Sequence, residues 1–435
     1  MKIVIVGGGA GGLELATSLG RSLGRKGKAE VLLLDRAHTH VWKPLLHEVA
    51  SGSLDAETEA VSFRAHAHYN SFNFKVGSIC GLDRKRKVIH LSPLLDDGEE
   101  ILPQREEAYD YLVLAIGSVS NDFGIEGVAD NCIFLDSISQ AKTFQHHLLN
   151  RFIKLNRDLG RAELNRKLHV VIVGGGATGV ELSAELFKAR QWFSTYGLRN
   201  VLPEHLQVSL IEAGPILLPA LSERISSAVL TELERLGVSV HLSTMITRAE
   251  KNALITKDGT RFDADLMVWA AGVKAPSFLC QFDGLETNNA NQILVNPTLL
   301  AKNSSSVFAI GDCAGCEMIA ADGKVHWVPP RAQSAHQMAS TVAKNIQNLQ
   351  AGKPLVTFTY NDYGSLISLS DFTAFGRLMG GLSTGSLKVE GRIARIAYVS
   401  LYRMHQIAIH GWFKTLLLTL SDKINRFIRP RLKLH

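Results

Sequence analysis

The chain has 435 residues, 46% of them hydrophobic, enough to bury more than one core, and its five cysteines (80, 132, 280, 313, 316) form no disulfide framework. Its net charge of +6 is unevenly placed: residues 391–435 hold nine Lys/Arg against Asp422 alone, a net of +8, and the remainder carries −2. That distribution excludes a general nucleic-acid-binding surface and points to a local anionic partner for the C-terminus.

Residues 2–6 read as a buried strand, Gly7-Gly8-Gly9-Ala10-Gly11-Gly12 as a turn, and 11–23 as a helix. Lys2 and its apolar run have the look of a signal peptide. The run breaks at Gly7 after four residues, however, and the glycine turn accounts for it better, so a reducing compartment is expected. Glu30–Leu34 is the next strand, ending in Asp35, and Tyr111–Ile116 is a further apolar run. The plan then repeats: a strand at 168–173, the turn Gly174-Gly175-Gly176-Ala177-Thr178-Gly179, a helix from about 178, and a strand Val208–Ile211 ending in Glu212. Leu266–Ala271 and Val307–Ile310 close the pattern, a parallel sheet with crossover helices, duplicated.

Both turns fit G-x-G-x-x-G directly after a strand and before a helix, the context that gives the motif its meaning. Gly7 and Gly174 permit the tight turn, Gly9 and Gly176 let the backbone approach a pyrophosphate, and Gly12 and Gly179 let helix and strand pack closely. The phosphate then meets the free N–H groups of a helix N-terminus. An acid ending the second strand accepts the ribose hydroxyls. Asp35 lies 23 residues after Gly12, near the usual spacing, and Glu212 lies 33 after Gly179. The segment Phe187–His205, with Trp192, Phe193, Tyr196, Gly197 and Pro203, accommodates the excess as a lengthened helix and loop. Because an acid repels a 2′-phosphate, NADH is favoured over NADPH. Two dinucleotides on one chain imply electron transfer between them.

In this order, over roughly 350 residues, the motifs resemble the two-dinucleotide-binding flavoprotein superfamily. The resemblance implies an α/β fold of two Rossmann-like domains in the glutathione-reductase-like arrangement. It places an FAD domain at 1–120 and 291–350, an inserted NADH domain at 121–290, and a C-terminal domain at 351–435. Ala115-Ile116-Gly117-Ser118 looks like the A-x-G turn between domains, and Ala270-Ala271-Gly272 closes the inserted domain in the same style. Ile310-Gly311-Asp312 looks like the late FAD motif, whose Asp312 bonds the ribityl chain. No cysteine lies in the segment His38–Val49, and residues 121–290 hold only Cys132 and Cys280, so a redox-disulfide mechanism is not expected. Cys313-Ala314-Gly315-Cys316 has no second ligand pair, which favours packing beside the flavin over a thiol pair or metal site.

Further along, the chain resembles the type II NADH:quinone oxidoreductases, single-chain, non-pumping respiratory dehydrogenases. His38-Thr39-His40 with Leu46-His47-Glu48 looks like that family's flavin-side segment, and Lys43 stands among its flavin contacts where many members have small hydroxyl residues. Pro329-Pro330-Arg331-Ala332-Gln333 looks like the quinone-site motif at a helix start. A helix beginning near Ala332 aims its N–H groups at the negative end of reduced flavin. Gln333 is then a quinone or flavin contact rather than a solvated first-turn residue. Glu181, in the first turns of the second dinucleotide helix, is expected to relay a proton to quinone or to position nicotinamide. Glu185, one turn on, is read as structural, and His336 is given no role. The cofactors implied are FAD and NADH, with no metal.

No stretch reaches the ~20 continuous apolar residues of a spanning helix. Ile393–Leu420 alternates apolar blocks with Arg395, Arg403, Lys414 and histidines, and Tyr398, Tyr402 and Trp412 suit a headgroup interface. This is the pattern of amphipathic helices lying on a membrane, or of a helix closing a core or dimer interface; a water-insoluble quinone (ubiquinone or menaquinone) tips the balance to the membrane. Arg426, Arg429, Arg431 and Lys433 extend the basic patch. The expected location is peripheral, at the cytoplasmic face of the bacterial inner membrane, with a homodimer left open. A sulfide:quinone oxidoreductase or another flavin-dependent NAD(P)H reductase is the nearest enzyme alternative, and a flavin-bearing NADH sensor the non-enzymatic one.

Overall fold

Two parallel five-stranded sheets carry the two glycine turns, each on its central strand. The structure, a computed structural model, describes residues 1–160, 166–190, 197–319, 323, 325–369, 373–379, 386–390 and 392–428. The first sheet runs Val307–Ala309, Tyr111–Leu114, Lys2–Val6, Glu30–Asp35, Asn73–Val76, with Val6 paired to both Leu114 and Leu34. Ile3, Val4 and Ile5 are fully buried, as expected of a strand covered on both faces. Helices α1 (Ala10–Leu19) and α3 (Phe63–Asn70) belong to this unit, whereas α2 (Leu46–Ser51) buries Leu46, Val49 and Ala50 in the core of the second unit. The helix predicted over 11–23 is shorter than expected: α1 ends at Leu19 and a π-helical turn, Gly20–Gly24, follows. Glycine is the reason, since a Cβ at Gly20 would lie 2.3 Å from Asn70 O and one at Gly24 2.1 Å from Ser71 O. The segment is shaped to the end of α3.

The second sheet repeats the order: Ile133–Phe134, Leu266–Trp269, Leu168–Val173, Leu206–Ile211, Ser239–His241. Its helices are α4 (Ile138–Leu159), α5 (Ala177–Ala189) and α6 (Glu223–Leu236). The lengthened helix and loop expected over 187–205 divides: α5 stops at Ala189, Trp192, Phe193 and Tyr196 lie outside the described residues, and Pro203–His205 forms a 3-10 turn into the next strand.

Helix α7 (Ala332–Gln350) packs along α1, with Gly11 so close that a Cβ there would lie 3.1 Å from Ala335 O. The C-terminal part holds an element the sequence reading did not anticipate, a three-stranded antiparallel sheet of Gly364–Leu369, Thr373–Met379 and Ser386–Glu390. Its Ile367 and Leu369 join the core of the second unit. Two helices follow, α8 (Arg392–His410) and α9 (Trp412–Ile428), broken at Gly411, whose φ is +82°. Among the described residues no helix is long and apolar enough to cross a membrane.

Helix α8 departs from the expected surface helix. Ile409 is buried in the core of the first unit, and the Arg21 guanidinium donates to the carbonyls of Ala408 (3.3 Å) and Ile409 (2.6 Å) at the helix end. Tyr402 donates its hydroxyl to Glu59 Oε2 at 2.6 Å. The side chains of Arg392, Arg395, Tyr398 and Arg426, and the whole of Arg429, Arg431 and Lys433, lie outside the described residues.

Candidate functional site

The two turns share one construction. Gly7 (φ +104°) and Gly174 (φ +114°) reverse the chain where a Cβ would lie 2.3 Å from Ala115 O or 2.6 Å from Ala270 O. A Cβ at Gly12 would meet Gly7 O at 1.8 Å, and one at Gly179 would meet Gly174 O at 2.0 Å, so each third glycine is a packing requirement. Gly9 and Gly176 differ from these: a Cβ on either meets nothing within 4 Å among the described residues. Each begins a helix in extended conformation with no side-chain cap, leaving the first N–H groups of α1 and α5 directed outward. The strand-end acids close the loops. Asp35 Oδ2 accepts from Gly8 N–H at 2.5 Å and Oδ1 from Ala37 N–H at 2.7 Å, and Glu212 accepts from Gly175 and Gly214 N–H, both at 2.6 Å.

A cleft of about 540 Å3 opens where the two units meet, lined by Ser118, Lys274, Asn288, Gln292, Asp312 and Trp327 among others. Ala115 donates its N–H to Val6 O at 2.8 Å, and Gly117 (φ +78°) turns the chain into Ser118 of the cleft wall. Ser118 Oγ donates to Asp312 Oδ2 at 2.7 Å, so the A-x-G turn and the late motif meet at this cleft. Gly311 (φ +69°) precedes Asp312. Lys43 donates to Ser118 O at 2.9 Å and lies 3.5 Å from Asp136, placing its ammonium at the rim between the units. Gly272 (φ +73°) immediately precedes Val273 and Lys274 of the cleft wall, and a Cβ there would meet the Phe123 ring at 3.1 Å.

Helix α7 starts at Ala332, behind Pro329-Pro330 in the cleft wall. The Gln333 amide donates to Gly364 O at 3.0 Å and accepts from Tyr363 N–H at 3.1 Å, so it ties α7 to the first strand of the C-terminal sheet. Glu181 is 5% exposed and is not among the residues lining the cleft. Its Oε1 accepts from Ser368 N–H at 3.1 Å, and Oε2 lies 3.6 Å from His47 Nδ1. Glu185 accepts from Ser53 Oγ at 2.7 Å. His47 thus stands on α2 against two buried acids of α5. The sequence carries no sign that His47 pairs with Glu181, and none for Ser368, whose part depends on the pairing of the C-terminal sheet.

The thiols of Cys313 and Cys316 are free and buried, and burial pushes both up to about 11. Such thiols stay protonated at neutral pH and fill space beside the late motif.

Burial also governs three histidines, His40, His47 and His66. It pulls His40 down to about 3 and His47 and His66 to about 4. These groups are neutral in the folded chain, whereas the unfolded chain protonates below about pH 6.5. Their contribution is therefore complete above pH 6.5 and is lost as pH falls towards 4, because the unfolded state alone takes up protons. Each accounts for roughly 1–2 kcal/mol by pH 5. The melting temperature is expected to fall between pH 7 and pH 5, and less so in a His66→Gln chain; equal slopes in a thermal-denaturation series would remove His66 from this account.

Residues 1–339 match the pyridine nucleotide-disulphide oxidoreductase family. The chain is similar, at 53% identity over all of both chains, to the type II NADH:quinone oxidoreductase of Haemophilus influenzae. It is 28% identical to the protein of that name from Staphylococcus aureus, over 87% of this chain and 90% of the other. Among solved structures, NDH2 from Plasmodium falciparum in complex with NADH superposes with a TM-score of 0.82 at 20% identity, covering 99% of each chain. The sulfide:quinone oxidoreductase of Aquifex aeolicus superposes at 0.71 with 16% identity, over 98% of this chain and 95% of the other. At these identities the two superpositions establish the fold.

Proposed function

The chain belongs to the pyridine nucleotide-disulphide oxidoreductase family and, within it, to the type II NADH:quinone oxidoreductases; from that premise we propose how its residues divide the work. The enzyme moves electrons from NADH through FAD to quinone without pumping protons. The observation that carries the division is the pair of cradles, each with an open second glycine and an acid holding the turn. FAD, when bound, supplies the two-electron step between a hydride donor and a quinone.

The first cradle fits FAD. Gly7, Gly9 and Gly12 hold the pyrophosphate at α1, Asp35 accepts the ribose hydroxyls, and Asp312, oriented by Ser118, meets the ribityl chain. Gly311, Ala115 and Gly117 shape the passage, Lys43 adds positive charge at the rim, and the N-terminus of α7 at Ala332 favours the negative end of the reduced ring. Gly174, Gly176 and Gly179 hold NADH, Glu212 accepts its adenosine ribose and rejects a 2′-phosphate, and Gly272 borders the nicotinamide. Glu181 holds the proton that quinone needs beyond the hydride, and Gln333 orders the quinone-side rim.

An anaerobic flavin spectrum tests this sequence of events. NADH should bleach the flavin band and a short-chain quinone should restore it. Bleaching without restoration would mark a sensor, and no bleaching would overturn the NADH assignment.

Helix α9 is the membrane contact in this reading, at the cytoplasmic face. Trp412, Phe413, Leu416, Leu417, Leu420 and Ile424 lie along one face and are exposed, Trp412 at 69%. An exposed apolar row with Trp and Lys at its start suits the headgroup boundary. A chain ending at Gly411 is expected to stop floating with phosphatidylglycerol-rich vesicles while keeping its flavin. Undiminished flotation would remove α9 from the anchor.

A further inference from the structure

The internal duplication supplies its own comparison. In both turns the middle glycine donates its N–H to the strand-end acid, and in both its carbonyl is also held. In the second turn the partner is a backbone group, with Leu218 N–H donating to Gly175 O at 2.9 Å. In the first turn a side chain takes that place, His40 Nδ1 lying 2.9 Å from Gly8 O. His40 in turn rests on a residue 365 positions away, since its Nε2 lies 3.0 Å from His405 Nε2 on α8.

The proton placements along this chain follow from its ends. A carbonyl can only accept, so His40 Nδ1 carries the hydrogen. Burial keeps His40 neutral, so its Nε2 is a lone pair and His405 Nε2–H must donate to it. His405 Nδ1 lies 2.6 Å from Glu14 Oε1, and the other oxygen of Glu14 is held by His336 Nδ1 on α7. Burial works against the Glu14 carboxylate, but the two histidines outweigh it and hold it below its ordinary range. The Trp42 ring covers His405 at 4.2 Å between centroids. Every polar atom from α8 to the glycine turn therefore has a fixed role, and His405 has no room to turn away while α8 is docked.

The end of the chain is the peptide joining Gly8 to Gly9. In a trans peptide the carbonyl and the next N–H point in opposite directions. Holding Gly8 O therefore fixes the direction of Gly9 N–H at the open start of α1, where a pyrophosphate is cradled. We propose that His405 is a positioning residue for the flavin dinucleotide: docked α8 holds His40, His40 holds the Gly8–Gly9 peptide, and retention of FAD depends on the C-terminal helix. This rests on the reading that the first turn holds FAD. The coupling is reciprocal, so bound FAD also keeps α8 docked.

A double-mutant cycle on the intact chain, read as FAD release by flavin fluorescence, tests it. His405→Leu is expected to weaken FAD retention about three- to tenfold, the range of one net hydrogen bond. His40→Asn keeps an N–H for Gly8 O but is too short to reach His405, so it should retain FAD and make it insensitive to a second His405→Leu change. His405→Gln, which can still donate to His40, should recover much of the loss. Equal losses from His405→Leu in both backgrounds, or none in either, would overturn the coupling. Asp35→Ala and Glu212→Ala separate the premise: flavin loss confined to Glu212→Ala would place FAD in the other turn, whereas loss on Asp35→Ala with unaffected His40 and His405 variants would refute the coupling alone. Limited proteolysis of α8 with and without FAD reads the reverse direction, and equal rates would count against it.

Discussion

A Gly9→Ala chain is expected to fold normally and to bind FAD about ten- to a hundredfold more weakly, a loss equivalent to one or two charge-assisted hydrogen bonds. The added methyl meets no described atom within 4 Å, and the backbone at Gly9 (φ −67°, ψ −169°) suits an L-residue. No described residue resists the change. In the proposed assignment it is the dinucleotide that resists it, because the methyl would stand where the backbone approaches the pyrophosphate. Gly176→Ala is the matched experiment in the second turn and should raise the KM for NADH while leaving bound flavin intact. Gly12→Ala differs in kind: its Cβ would lie 1.8 Å from Gly7 O, so lost flavin would be inseparable from a damaged strand–helix junction. Flavin content after desalting, beside a melting curve, distinguishes these cases. Full flavin in Gly9→Ala would show that the first turn does not hold the pyrophosphate.

How much of this was legible in the sequence follows from the range of the interactions. The strand at 168–173, the start of α7 at Ala332 and the acids at the ends of Glu30–Asp35 and Leu206–Ile211 are local matters of apolar runs, proline and glycine, and the structure places them where the sequence did. The split of the first long helix was also locally encoded, by Gly20 and Gly24, but its cause is the approach of Asn70 and Ser71 from another helix. The C-terminal sheet was missed because Ser365-Leu366-Ile367-Ser368-Leu369 is short beside the basic, apolar tail that dominates the segment. The pairing of His40 with His405, and of Glu14 with both His336 and His405, leaves no periodic trace, since these partners are hundreds of residues apart. The tail reads as amphipathic helices on a membrane surface, with closure of a core as the lesser alternative. Helix α8 takes the second form, with His405 and Ile409 buried, and α9 exposes the apolar row.

Glu181→Gln is expected to slow quinone reduction on the order of a hundredfold, within the range for loss of a positioned proton donor, and to leave reduction of the flavin by NADH unchanged. Reducing a quinone to the quinol takes two protons; the hydride brings one, and the protein must deliver the other. In the proposed role Glu181 holds it; the side chain is buried, fixed at Oε1 by Ser368 N–H, and faces His47 at 3.6 Å through Oε2. His47 cannot serve as the proton store at neutral pH, because burial keeps it neutral down to about pH 4. Glutamine preserves the size of the side chain and an oxygen for Ser368 N–H but carries no exchangeable acid proton. The stability of the fold should therefore change little, and the defect should appear in the half-reaction with quinone when the two halves are followed separately by stopped flow. A slower flavin reduction with normal reoxidation would instead assign Glu181 to holding the nicotinamide. An unchanged steady-state rate with quinone would remove it from proton transfer, leaving a carboxylate that only joins α5 to the C-terminal sheet.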